Sequence, residues 1–130
     1  MVKMIIMMLA ALSLWGKVIL TTPGQHLIPP AMTLVDIRTP GEWKETGVVP
    51  GSHLLMFFDE RGNYDAREFL QKLEKIAPKN RPVALICNSG NRTRLVSDFL
   101  SRQGWREVYD IAGGIQAWRA KGLPLVPPKL

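Results

Sequence analysis

Cys87 is the sole cysteine in 130 residues, and Asn88, Ser89, Gly90, Asn91 and Arg92 follow it directly. A lone thiol cannot close an internal disulfide, and its commonest fate is that of a small buried apolar group. The neighbours argue for chemistry instead. Short polar residues around a glycine let the backbone curl so that successive N–H groups point inward, and a helix starting at the end of the loop adds its free N–H groups and partial positive charge. The segment Cys87–Arg92 therefore reads as an anion cradle with sulfur at its floor. Arg92 and the helix start both favour thiolate, the nucleophilic form, and no carboxylate occurs before Asp98 to oppose it. Cys87 is the candidate nucleophile; Asn88, Ser89, Gly90, Asn91 and Arg92 are the candidate substrate-binding residues.

Such a loop needs a rigid frame, and the chain supplies one in alternating apolar and amphipathic runs. Val83–Ile86 (VALI) is apolar throughout, as a central strand buried on both faces must be. Thr33–Ile37, His53–Phe57 and Glu107–Ile111 are further strand-length segments. Ala66, Phe69, Leu70, Leu73 and Ile76 recur at helical spacing behind Asp65, a capping residue. Leu95, Val96, Phe99 and Leu100 repeat that spacing after the loop, with Gly104 placed for a left-handed C-terminal cap. A last helix near Ile115–Lys121 is closed by Gly122 and Pro124. Alternation of this kind implies an α/β fold, a mainly parallel central sheet with helices on both faces, and ligands in such sheets bind outside the carboxyl ends of the strands, where Cys87 falls.

Cys87-x-x-Gly90-x-Arg92 resembles the active-site loop of the rhodanese-like single-domain sulfurtransferases. The resemblance runs from Thr33 to Leu125 through Asp36-x-Arg38, Glu42-Trp43, Gly47-Val-Val-Pro50-Gly51 and Gly113-Gly114-Ile115-x-Ala117-Trp118. It implies a rhodanese-like fold and a double displacement. The Cys87 thiolate takes the outer sulfur of thiosulfate or a persulfide donor, and the Cys87 persulfide passes it to cyanide or a thiol. No metal or organic cofactor is implied. The implied partners are a small anionic sulfur donor, a thiophilic acceptor, and a sulfur-accepting protein of unknown identity. Asn88 stands where the family often has a basic residue, so persulfide or polysulfide donors stay open beside thiosulfate. Related cysteine-dependent phosphatases have five residues between Cys and Arg; this chain has four, a smaller cradle suited to a terminal sulfur. The alternative is a non-turnover persulfide carrier or protein-interaction module, and after it a cysteine-dependent phosphatase or arsenate reductase.

The formal charge of +6 suits small anions, and no Lys/Arg run is dense enough to demand nucleic acid. Residues 1–20 carry Lys3 and then an apolar run from Met4 to Trp15, the layout of a secretory signal peptide, with a membrane anchor or a buried helix as alternatives. Residues 21–31, ending in Pro29-Pro30, read as a linker, and 32–130 as the rhodanese-like domain. Periplasmic or other export is the expected location, membrane-anchored or cytoplasmic the alternative. Asp36, Arg38 and Glu42 are expected to form a structural set in which Arg38 bridges the two acids. Trp43, Trp105 and Trp118 are expected as packing anchors, His53 as framework, and His26 has no metal-ligand partners at useful spacing.

Overall fold

The computed structural model describes residues 15–130. Strands β1 (Lys17–Thr21), β2 (Thr33–Asp36), β3 (His53–Leu54), β4 (Val83–Ile86) and β5 (Glu107–Ile111) form one sheet in the order β1-β5-β4-β2-β3. Every pairing in it is parallel. Among the described residues there are four α-helices, α1 (Pro40–Thr46), α2 (Ala66–Ile76), α3 (Asn91–Arg102) and α4 (Gly114–Ala120), and a 3-10 turn at Gln25–Leu27.

The central strand behaves as its composition demands. All four residues of β4 are buried, and they alternate between two cores. Val83 and Leu85 pack with Phe69 and Leu73 of α2 and Val96 and Leu100 of α3. Ala84 and Ile86 pack on the other face with Leu27, Ile115 and Trp118. Helices thus cover both faces, as the strand-helix alternation requires. Asp65 caps α2, its carboxylate accepting from the Glu68 amide at 3.0 Å. Gly104, just past α3, has φ of +104°, the left-handed conformation that a glycine adopts without cost. Trp105 and Trp118 are fully buried, and their indole N–H groups donate to Ala77 O and Pro124 O, each at 2.9 Å. Both are packing anchors, as their positions suggested.

The domain starts earlier than the sequence pattern indicates. Lys17–Thr21 pairs residue for residue with Glu107–Ile111, and Leu27 has no exposed surface. Residues 17–31 are therefore part of the fold and not a leader end plus linker, which corrects the expected start near Met32. Lys17 interrupts the apolar run because it opens an edge strand, where a charged side chain stays in water. The signal-peptide reading now concerns residues 1–14, which lie outside the described residues. Among the described residues no helix is long and apolar enough to cross a membrane.

Candidate active site

Cys87 follows β4 immediately, at the carboxyl end of the sheet, and only 1% of its surface is exposed. The backbone then turns through Gly90, whose φ of +95° makes it the left-handed residue before α3. This turn brings the Gly90 N–H onto the Cys87 sulfur, donating at 3.2 Å. Thr93 Oγ1 lies 3.5 Å from the same sulfur and donates to Gly90 O at 3.3 Å. The sulfur thus sits under the first turn of α3, whose leading N–H groups have no intrahelical acceptor and carry partial positive charge. Ser89 and Asn91 are exposed on the loop surface, and Asn88 is half-buried.

A second helix start holds the loop from the side. Ile115 N–H donates to Cys87 O at 2.8 Å and Gln116 N–H to Asn88 O at 3.1 Å, while Gln116 Nε2 donates to Asn88 Oδ1 at 2.9 Å. Gly114 makes this approach possible. A Cβ there would come within 2.6 Å of both the carbonyl carbon and oxygen of Asn88, and its φ is +55°. The absence of a side chain at Gly114 is thus what lets the start of α4 meet the loop backbone at Cys87 and Asn88.

Arg92 was expected to face the cradle, and the structure gives its guanidinium a partner. Its two terminal nitrogens each donate to one oxygen of Glu42 at 2.7 Å. Glu42 holds Arg92 more firmly in its charged form, with smaller contributions from the nearby Cys87 and Asp36. In return, Arg92 holds the Glu42 carboxyl down at about 2, with burial opposing and the Thr39 amide assisting. Glu42 reaches this position because Thr39-Pro40-Gly41-Glu42 starts α1 as a capping box: Thr39 Oγ1 accepts from the Glu42 amide and Glu42 Oε1 accepts from the Thr39 amide.

This arrangement corrects the expected bridge from Arg38 to Glu42. Arg38 is fully buried and binds Asp36 alone of the two acids, through Nε at 3.0 Å and its terminal nitrogen at 2.8 Å. Its remaining donors go to Thr46 Oγ1 and Gly47 O. The Trp43 indole N–H also donates to Asp36, so the expected structural role of Asp36 and Arg38 holds. Glu42 is the site residue that the sequence reading placed wrongly; Thr39 three residues before it was the available signal. His53 is exposed on β3 and makes no hydrogen bond to the loop.

Beside the loop lies a polar cavity of about 380 Å³ whose walls include Glu42, Glu45, Asn88, Gln116 and Arg119. A larger one of about 520 Å³, walled by Leu54, Tyr64 and Phe69, includes no loop residue. The arrangement can hold an anionic sulfur on Cys87 with backbone N–H donors and admit a small polar molecule at its mouth.

Residues 24–121 match the rhodanese-like domain family model. A sulfurtransferase of Allochromatium vinosum is 36% identical over 100 residues, 74% of this chain and 79% of that protein. Thiosulfate sulfurtransferase GlpE of Tolumonas auensis is 31% identical over 90 residues, 69% of this chain and 74% of that protein. Among solved structures, a rhodanese-related protein from Thermoplasma volcanium superposes with a TM-score of 0.58 at 31% identity, covering 75% of this chain and 86% of that one. With the all-parallel sheet, the loop closed by Arg92 and the thiol beneath α3, these matches establish that the chain belongs to the rhodanese-like sulfurtransferase family.

Proposed function

We propose that this protein moves a sulfane sulfur from a small anionic donor to a thiophilic acceptor through a persulfide on Cys87. The observation that carries this reading is the sulfur itself, buried at the end of β4 and accepting the Gly90 N–H at 3.2 Å beneath the start of α3. With thiosulfate as donor, the Cys87 thiolate attacks the outer sulfur, the S–S bond of thiosulfate breaks, and sulfite leaves with the bonding pair. The terminal sulfur of the persulfide carries the negative charge, where the loop N–H groups stabilise it. Cyanide or a thiolate then attacks that sulfur, and Cys87 returns as thiolate. No proton or electron needs an outside source in either half-reaction.

Two features of the loop bear on the donor. Asn88 is uncharged, and Arg92 is already paired with Glu42, so the cradle offers mainly backbone donors and little free positive charge. This favours a singly charged persulfide over doubly charged thiosulfate. Turnover of the full chain with thiosulfate or a low-molecular-weight persulfide, each with cyanide, tests the proposal. The expected results are activity with both, a higher kcat/KM for the persulfide, and loss of both in Cys87→Ser. Equal turnover by wild type and Cys87→Ser overturns it. Residues 1–14 are proposed as an export leader; because β1 belongs to the fold, the mature chain isolated from cells should begin before Lys17.

A further inference from the structure

The polar cavity of about 380 Å³ beside the loop carries two charges that sulfur chemistry on Cys87 does not use. Glu42 and Glu45 line it from α1, and their spacing of three residues puts them on one face of that helix; Gln116 and Arg119 do the same on α4. The inner member of each pair is committed to the loop. Glu42 holds Arg92 at 2.7 Å, and Gln116 holds Asn88 through its side-chain amide at 2.9 Å. The outer members are free: among the described residues neither Glu45 nor Arg119 forms an ion pair, with each other or with any other group. Both are exposed. The cavity thus meets the cradle at Asn88, the residue after Cys87, and at Glu42, the partner of the last residue of the loop.

The remaining wall charges cancel. Arg38 is neutralised by Asp36 at 2.8 Å, and Glu42 by Arg92. What is left is an anion on α1 and a cation on α4, too far apart to pair. Such a cavity is complementary to a molecule that carries an ammonium group and a carboxylate together. It discriminates against a molecule with only one of them, which leaves the other wall charge unmatched.

We propose that the thiophilic acceptor is an α-amino-acid thiol, held in this cavity with its ammonium group at Glu45 and its carboxylate at Arg119, its sulfur reaching past Asn88 to the mouth of the cradle. The acceptor loses its thiol proton to solvent, and its thiolate attacks the terminal sulfur of the Cys87 persulfide. A new S–S bond forms, the persulfide bond breaks, and Cys87 leaves as thiolate with the bonding pair; the product is the amino-acid persulfide. Glu45 and Arg119 determine specificity by binding the acceptor away from the reacting atoms. That the ligand accepts sulfur rests on the sulfur-transfer reading; that it is a zwitterion rests on the charges of the cavity.

The test is an NMR titration of the full chain, read on the side-chain amides of Asn88 and Gln116. The probe is S-methyl-L-cysteine, whose capped sulfur accepts nothing, beside 2-(methylthio)ethylamine and 3-(methylthio)propanoate, which lack the carboxylate and the ammonium group respectively. The zwitterion should bind on the order of fivefold more tightly than either. Arg119→Gln should remove its advantage over the amine, and Glu45→Gln its advantage over the carboxylate. Equal binding of all three by the wild type overturns the proposal, and this arm needs no variant to fold. With L-cysteine and cysteamine as acceptors, Arg119→Gln should lower kcat/KM by a larger factor for cysteine; equal factors overturn the proposal too. Cyanide turnover by the wild type reports on sulfur transfer separately. Selective binding without that turnover sinks the transfer reading, and turnover without selective binding sinks the zwitterion alone.

Discussion

Glu42 precedes Arg92 by fifty residues, yet the two side chains meet in a bidentate ion pair with both N–O distances at 2.7 Å. The pair ties the start of α1 to the start of α3 across the mouth of the cradle, and each side chain is 27% exposed. It makes the last residue of the loop a structural clamp as well as a source of charge.

Removing that clamp should have a defined pH signature. The Glu42 carboxyl sits at about 2 in the fold against an ordinary 4.5, so its contribution is fully present above 4.5 and is lost as pH falls toward 2. Glu42→Gln is therefore expected to lower stability by about 1–2 kcal/mol at neutral pH, a figure reduced for partial exposure. Urea denaturation of both proteins at several pH values should show the difference shrinking below 4.5. A constant difference down to acid pH would contradict the ion-pair account.

Gly114 is where α4 touches the backbone of the loop. Gly114→Ala must push a methyl group against Cys87 O and the Asn88 carbonyl and hold a strained φ of +55°. The expected cost is about 1–3 kcal/mol of stability together with a large fall in sulfur transfer, because the Ile115 and Gln116 amides would leave the loop. Thermal unfolding and turnover measured together would check this. Full activity in Gly114→Ala would mean that the loop does not depend on α4.

Asp36 accepts from Arg38 and from Trp43 in a place with no solvent contact. Asp36→Ala leaves a buried guanidinium without its counter-charge, a change expected to cost about 3–5 kcal/mol. Denaturant titration would read it directly, and a loss below about 1 kcal/mol would show that Thr46 and Gly47 suffice to hold Arg38.

What was legible in the sequence follows from range. The strand Val83–Ile86, the helix spacing from Ala66 to Ile76 and the Cys87–Arg92 loop are local patterns, and the folded chain keeps them. β1 was hidden because its Val18, Ile19 and Leu20 merge with the preceding apolar run, and only the pairing with β5 separates them. The Pro40-Gly41 pair masks α1 as a turn, although Thr39 and Glu42 carry its capping signal. The partner of Glu42 was not legible at all: Arg38 is nearer in the chain, and Arg92 is brought near only by the parallel β2–β4 pairing. Asp110 reads as an ordinary polar position in Glu107–Ile111, and its burial appears only when α3 is laid over the sheet.

The central claim is that Cys87 carries the sulfur. Intact-protein mass spectrometry of the full chain after thiosulfate or persulfide treatment tests it most directly. The account predicts a gain of one sulfur atom on wild type, none on Cys87→Ser, and loss of the added sulfur when cyanide is supplied. A stable gain that cyanide cannot remove would indicate a carrier in place of a transferase, and an unchanged wild-type mass with either donor would contradict the account.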